Sequence, residues 1–117
     1  MDVVYIWEPG DWREFELSVA SVRKNFLDAG RRIWVLSGAK PPVKNMEGSE
    51  IHWFQVDQPT NASVTKDVKM ISKLEKFCRS GIAPKEFCLL SDDYYFLRPT
   101  RLDHFLHQPY VQDLNDV

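Results

Sequence analysis

Long apolar runs are missing from this sequence, and none approaches the roughly 20 residues that a membrane-spanning helix needs. The first residues also lack the basic flank and the apolar length of a secretory signal peptide. Cysteine is scarce, and neither Cys78 nor Cys88 has a metal-like spacing to the three histidines. Because both lie in apolar contexts, we expect buried free thiols in a reducing compartment, and hence a cytoplasmic protein without a transmembrane segment.

A strong charge of either sign is missing as well, because the formal net charge is -2. This value gives no reason to expect tight binding to a polyanion, although it is compatible with a local basic patch. The apolar fraction of 44% and the aromatic fraction of 13% favour a folded protein over a disordered one. A length of 117 residues predicts one small domain that covers residues 1–117.

The spacing of apolar residues predicts an alternation of strands and helices. Strands are expected at residues 3–7, 32–37 and 51–56, from 87 onward, and at 94–97. Helices are expected at residues 12–27 and 64–79, with a helical tail at 102–107. A loop rich in proline and glycine is expected at residues 38–48. This order predicts an α/β domain with a Rossmann-like, mostly parallel sheet and flanking helices.

The two predicted helices differ in pattern. The first has an apolar stripe, formed by Phe15, Val19, Val22 and Phe26. The second is expected to bury an apolar side and to place its lysines together on another face. That apolar side consists of Val68, Ile71, Leu74, Phe77 and Cys78, and the lysines are Lys66, Lys69, Lys73 and Lys76. The lysine face is either solvated or brings Lys69 or Lys73 to a bound anion, and the same alternatives apply to Arg23 and Arg98.

Two adjacent carboxylates, Asp92 and Asp93, follow the apolar strand that begins at Phe87. Acids at the end of a buried strand need hydrogen bonds, a counter-charge or a metal. Mg²⁺ or Mn²⁺ is often held by one or two carboxylates, with substrate phosphates completing its shell. The alternative is a simple turn, because Ser-Asp-Asp can hydrogen-bond its own backbone. The loop at residues 8–11 is expected at the same ligand-binding edge of the sheet, which favours the metal site.

Four segments resemble the GT-A-type glycosyltransferases: DVVYIW at residues 2–7, ELS and SVRKNF within 16–26, RIWVLSG at 32–38, and LSDDYYFLRP at 90–99. The nearest likeness is to the Stealth-like sugar-phosphate transferases of capsule synthesis. Those proteins have a similar first strand, a Leu-Arg-Ser-Ile helix and an Asn-Asp-Asp-Val-Phe acid motif. The resemblance spans nearly the whole chain and implies a GT-A-type nucleotide-sugar-binding fold in a small or truncated form.

The resemblance implies a metal-dependent glycosyltransferase, or its donor-binding half. It would transfer a sugar from a nucleotide-diphosphate sugar to a hydroxyl of a carbohydrate or of a hydroxylated DNA base. Mn²⁺ or Mg²⁺ would bridge the diphosphate to Asp93, and the catalytic Asp92 would face the sugar or ribose. The loop that includes Trp7, Glu8 and Asp11 would hold the nucleoside, with Trp7 either stacked on the base or part of the core.

Members of such families usually have a second half, which supplies the acceptor pocket, a base and often a histidine ligand. The chain is therefore expected to be a fragment that lacks its C-terminal half, a minimal member, or a domain completed by another subunit of a homo-oligomer. His104 and His107 are either stand-in ligands or solvated, and Asp113 and Asp116 are available as a base. The alternative function is a non-catalytic α/β interaction module that retains the nucleotide fold.

Overall fold

The computed structural model describes residues 1–8, 10, 12–43, 45–46, 48–56, 66–91 and 94–103. Its strands are β1 (Asp2–Ile6), β2 (Arg32–Ser37), β3 (Asn45–Met46), β4 (Ser49–Gln55) and β5 (Phe87–Leu90). Its helices are α1 (Trp12–Asn25) and α2 (Lys66–Arg79). Neither of these two helices has the length and apolar character that crossing a membrane requires. The strands predicted at 3–7, 32–37 and 51–56, the strand predicted from 87, and both main helices are confirmed within two residues.

The five strands form one sheet in the order β3-β4-β2-β1-β5. The pairs β1–β2, β1–β5 and β2–β4 are parallel, and β3 is antiparallel to β4. Counted along the chain, the parallel strands stand in the order third, second, first, fourth. The strand order therefore reverses between β1 and β5. Open α/β sheets bind ligands at such a reversal, at the carboxyl ends of the strands. The prediction of an α/β domain with a mostly parallel, Rossmann-like sheet is confirmed as a coarse fold class.

Alternate side chains of β1 enter two separate hydrophobic clusters, one under each helix. Val3 and Tyr5 pack in the cluster that contains the α1 stripe, whereas Val4 packs in the cluster that contains Phe77 of α2. All four predicted stripe residues are buried, namely Phe15, Val19, Val22 and Phe26. The helices therefore cover opposite faces of the sheet and leave its carboxyl edge between them.

Two predictions about the chain outside the main elements are wrong. The loop expected at residues 38–48 contains β3, whose two residues are too few to show an alternating pattern. Gly48, with a φ of 77°, provides the left-handed turn into β4. The strand expected at 94–97 does not form, because these residues run along α1. The chain that follows them makes an isolated bridge from Thr100 to Phe26. The helical tail predicted at 102–107 lies mostly outside the described residues.

The predicted buried side of α2 is confirmed at Phe77, which is completely buried, and is wrong at three of its other residues. Val68 is 52% exposed and Ile71 is 64% exposed, and Cys78 is exposed as well. Lys73, expected on the lysine face, is buried like Phe77. Because residues four apart lie on one side of a helix, burial of Phe77 turns Lys73 inward and turns Val68 and Ile71 outward. The fully solvated lysine face is therefore incorrect at Lys73.

Replacement of Val19 and Val68 by alanine tests this assignment of helix faces. Val19→Ala removes two buried methyl groups and should lower the free energy of unfolding by about 2 kcal/mol. Val68→Ala, the matched change at an exposed position, should alter it by less than about 0.5 kcal/mol. Urea denaturation followed by circular dichroism gives both values. A cost at Val68 equal to that at Val19 would show that α2 buries its other side.

The two thiols should react at different rates. Burial raises the pKa of the Cys88 thiol, whereas Cys78 is exposed, contrary to the prediction that both are buried. At pH 8, iodoacetamide should alkylate Cys78 first, because the reactive thiolate is scarcer and less accessible at Cys88. Raising the pH should speed the reaction of Cys88 as its thiolate fraction grows. Mass spectrometry of the Cys78→Ser and Cys88→Ser variants measures each rate, and equal rates would contradict this difference.

Candidate functional site

The carboxyl ends of β1 and β5 lie side by side, because Tyr5 of β1 is the pairing partner of Leu90 of β5. Strand β1 continues into Trp7 and Glu8, and β5 continues into Ser91. The predicted site residues Asp11, Asp92 and Asp93 lie outside the described residues, and so do His104, His107, Asp113 and Asp116. The residues that lead to the acid pair and to the loop after β1 nevertheless meet at one edge of the sheet, as predicted.

Three polar side chains on α1 hold the chain that follows the acid pair. Ser18 Oγ donates a hydrogen bond to the carbonyl of Tyr94 at 2.6 Å, and Asn25 Nδ2 donates to the carbonyl of Phe96 at 2.5 Å. Ser21 Oγ accepts from the backbone N–H of Phe96 at 3.1 Å. These three residues, which we call the polar stripe of α1, are three and four apart and so lie on one side of the helix. They satisfy backbone groups that have no strand partner.

The polar stripe is itself fixed to the centre of the sheet. The Ser18 hydroxyl uses its proton on the carbonyl of Tyr94, so the buried Tyr5 hydroxyl donates to Ser18 Oγ at 2.7 Å. Further along, the Phe96 ring stacks on Phe26 with centroids 5.1 Å apart. The chain is therefore anchored by β5 before the acid pair and by α1 after it. We did not predict this role of α1, although serine and asparagine inside a helix are a recognisable signal for side-chain-to-backbone bonds.

Trp7 belongs to the core and is 5% exposed. Its ring meets Trp12 edge to face with centroids 4.8 Å apart, and Trp12 stacks on Phe15 at 4.5 Å. Neither face of the Trp7 ring is open for a nucleobase to stack on. Of the two alternatives, Trp7 is therefore a core residue. Within the described part of the chain, the buried indole N–H groups of Trp7 and Trp12 have no hydrogen-bond acceptor.

Glu8 and Lys69 each lie close enough to Lys73 to influence its charge. Lys73 is 1% exposed, and its Nζ has no hydrogen-bond partner among the described residues. Desolvation lowers the pKa of Lys73, the carboxylate of Glu8 opposes this effect, and the charge of Lys69 adds to it. Glu8 is exposed and Lys69 is half-buried. Of the residues predicted from the sequence, Glu8 and Lys69 are thus both within electrostatic reach of Lys73.

Arg23 and Arg98 are not part of this edge. The Arg23 guanidinium donates to the carbonyl of Gly30, and the N–H of Gly30 bonds the carbonyl of Met1 at the amino end of β1. Arg98 is exposed in the segment that bonds the last turn of α1 through Thr100. The proposed anion-binding role of these two arginines at the site is therefore not supported by their positions.

A concave region lies beside β4, on the side of β2 that faces away from β1. It encloses about 300 Å³ and is lined by Lys40, Pro41, Val43, Ile51, His52 and Trp53. No group of three or more histidine, cysteine or acidic side chains placed to hold a metal occurs within the described ranges, from which Asp11, Asp92 and Asp93 are absent. The carboxyl edge between β1 and β5 therefore remains the candidate site.

Comparison with known proteins assigns no family to the chain. No protein-family model matches it, and no curated protein and no solved structure is significantly similar to it. The functional argument therefore depends on the residues at the carboxyl edge and on the fold that positions them.

Loss of the Asn25 side chain should loosen the chain after the acid pair. Asn25→Ala leaves the buried carbonyl of Phe96 without its donor, so we expect a loss of about 1–3 kcal/mol of stability. The amide protons of Phe96 and Thr100 should also exchange faster with solvent. Hydrogen exchange measured by NMR tests this result, with Asn45→Ala at an exposed position as the matched control. Unchanged protection of both amides would contradict the anchoring role of the polar stripe.

Proposed function

We propose that this domain is a metal-dependent glycosyltransferase, or the donor-binding half of one. It binds a nucleotide-diphosphate sugar at the carboxyl edge between β1 and β5 and transfers the sugar to a carbohydrate hydroxyl. One observation carries the proposal: the sheet reverses its strand order at this edge, and β5 leads directly into Asp92 and Asp93. Ligands of α/β sheets bind at such switch points.

The chemistry of the nearby residues supports the same proposal. Asp93 and Asp92 would hold Mn²⁺ or Mg²⁺, because both ions prefer carboxylate oxygens together with substrate phosphates. The ion neutralises the charge of the departing diphosphate. The buried Lys73 provides a cation without a hydrogen-bonded partner in the described part of the chain, and this suits an anionic ligand. The chain before the acid pair is held in the sheet by β5, and the chain after it is fixed to α1.

A DNA acceptor receives less support than a carbohydrate acceptor. A continuous face of exposed lysines along α2 would favour a DNA acceptor. Lys73 is buried and Lys69 is half-buried, whereas Lys76 is exposed. These side chains therefore do not form the basic surface that would bind a phosphate backbone, which needs accessible cations.

The second candidate function is a non-catalytic interaction module. Several large apolar side chains are exposed, among them Ile71 at 64% and Leu97 at 92%. Exposed apolar patches often mark sites of contact with partners. Such a module would not need the acid pair. Replacement of Asp92 and Asp93 should therefore abolish the glycosyltransferase function but not the function of an interaction module.

Calorimetric titration with nucleoside diphosphates and nucleotide sugars, with and without Mn²⁺, tests the proposed function. The wild-type protein should bind at least one of them more tightly when Mn²⁺ is present. Asp93→Asn should weaken this metal-dependent binding at least tenfold, because changes even in the outer shell of a metal site cost about that much. Asp103→Asn, at an exposed carboxylate, is the matched control and should bind like the wild type.

Binding without Mn²⁺ separates a metal effect from a simple charge effect. Asp93→Asn removes a negative charge, so metal-free binding of the anion should stay equal or improve slightly. Metal-dependent binding that is the same in Asp93→Asn and in the wild type would exclude the proposed metal site. Absence of binding to every nucleotide would favour the interaction module.

A further inference from the structure

Lys73 is one of the largest side chains that the fold buries completely. Lysine normally lays its apolar stem along the protein and keeps its ammonium group in water. Here the ammonium nitrogen itself is inaccessible and has no hydrogen-bond partner among the described residues. A buried charge without a partner opposes folding, so this arrangement calls for an explanation beyond packing.

No ion pair of the described residues includes Lys73. The three that occur are Arg32–Asp2, His52–Glu50 and Arg79–Glu75. Glu8 raises the pKa of Lys73 from a distance, but it does not overcome the effect of burial, which lowers that pKa. The described part of the chain therefore provides only partial compensation for this ammonium group.

The position of Lys73 places it beside the candidate site. Glu8 immediately follows Trp7 at the carboxyl end of β1 and lies near enough to Lys73 to affect its charge. Helix α2 leads from β4 to the start of β5, so its first half, which contains Lys69, lies nearest the carboxyl edge. Lys73 follows one turn later, at the middle of the helix. The ammonium group is thus within electrostatic reach of Glu8 at the carboxyl edge, whereas Arg23 lies at the opposite edge of the sheet.

We propose that Lys73, assisted by Lys69, is the phosphate-binding cation of this domain and takes the diphosphate of the nucleotide donor. This inference rests on the proposed function and names the group of the substrate that α2 recognises. Phosphate oxygens accept short, charge-assisted hydrogen bonds from an ammonium group. The diphosphate supplies the counter-charge that the described residues provide only in part. Lys69, half-buried one turn earlier, adds positive charge nearer the solvent.

Lys73→Met separates this role from a purely structural one. Methionine keeps an unbranched side chain of similar reach and removes the buried charge. If Lys73 serves the ligand, the variant should melt at the same temperature as the wild type or higher, and it should bind phosphate groups less well. Lys76→Met is the matched control, because Lys76 is an exposed lysine of the same helix.

Inorganic pyrophosphate without divalent metal is the probe, and isothermal titration calorimetry is the measurement. The wild type and Lys76→Met should bind it alike, and Lys73→Met should bind it at least tenfold more weakly. Equal binding by Lys73→Met and the wild type, or no binding by the wild type, would overturn the inference. If Lys73→Met fails to fold, Lys69→Met takes its place, and it should bind at least threefold more weakly than Lys76→Met. Equal binding by these two variants would also overturn the inference.

The proposed function and this inference fail in different ways. Asp93→Asn should keep the metal-free binding of pyrophosphate, and Lys73→Met should keep the binding of Mn²⁺ measured by electron paramagnetic resonance. In one outcome, pyrophosphate binding depends on Lys73 while no nucleotide binding depends on Asp93. That result would support the phosphate site and contradict the proposed function. Nucleotide binding that depends on Asp93 but is unchanged in Lys73→Met would support the proposed function and contradict the role of Lys73.

Discussion

The parallel pairing of β1 with both β2 and β5 is the constraint on which the rest of the structure depends. A strand paired on both sides and covered on both faces must be apolar throughout, and Val3, Val4 and Tyr5 are completely buried. Because β5 adds to the side of β1 opposite β2, the ends of the first and last strands become neighbours. Residues separated by more than eighty positions along the chain thus meet at one edge.

The single buried hydroxyl of β1, that of Tyr5, links this sheet to the polar stripe of α1. Through Ser18 it reaches the backbone of Tyr94, just beyond the acid pair. This link explains why residues 94–97, whose sequence is typical of a strand, do not extend the sheet. Their backbone groups find partners in helix side chains, and Phe96 finds its apolar contact in Phe26. Tertiary hydrogen bonds override local strand propensity here.

Local periodicity was sufficient to predict β1, β2, β4, β5 and the buried side of α1, because the stripe from Phe15 to Phe26 has a regular helical spacing. It failed for α2, where Val68 and Ile71 resemble core residues and Lys73 resembles a surface residue. The rotation of α2 is determined by Phe77, which packs against Trp34 on the sheet. No local pattern encodes this contact. That the ends of β1 and β5 share one edge was predictable from the alternation of strands and helices. Lys73 was predicted as a candidate anion-binding residue, but its burial was not predictable, because it depends on that rotation.

Disagreement between local pattern and tertiary placement is itself informative about function. A sequence that only had to fold would place an apolar residue at position 73, where the helix faces the sheet, and a polar residue at position 71, where it faces solvent. The chain has the reverse, and the buried lysine lies at the edge where the topology predicts a ligand. Core packing does not require a charge at that position, so the fold tolerates an interior cation beside a switch point. The phosphate ligand that we propose would account for this lysine, because an anion would complete the site.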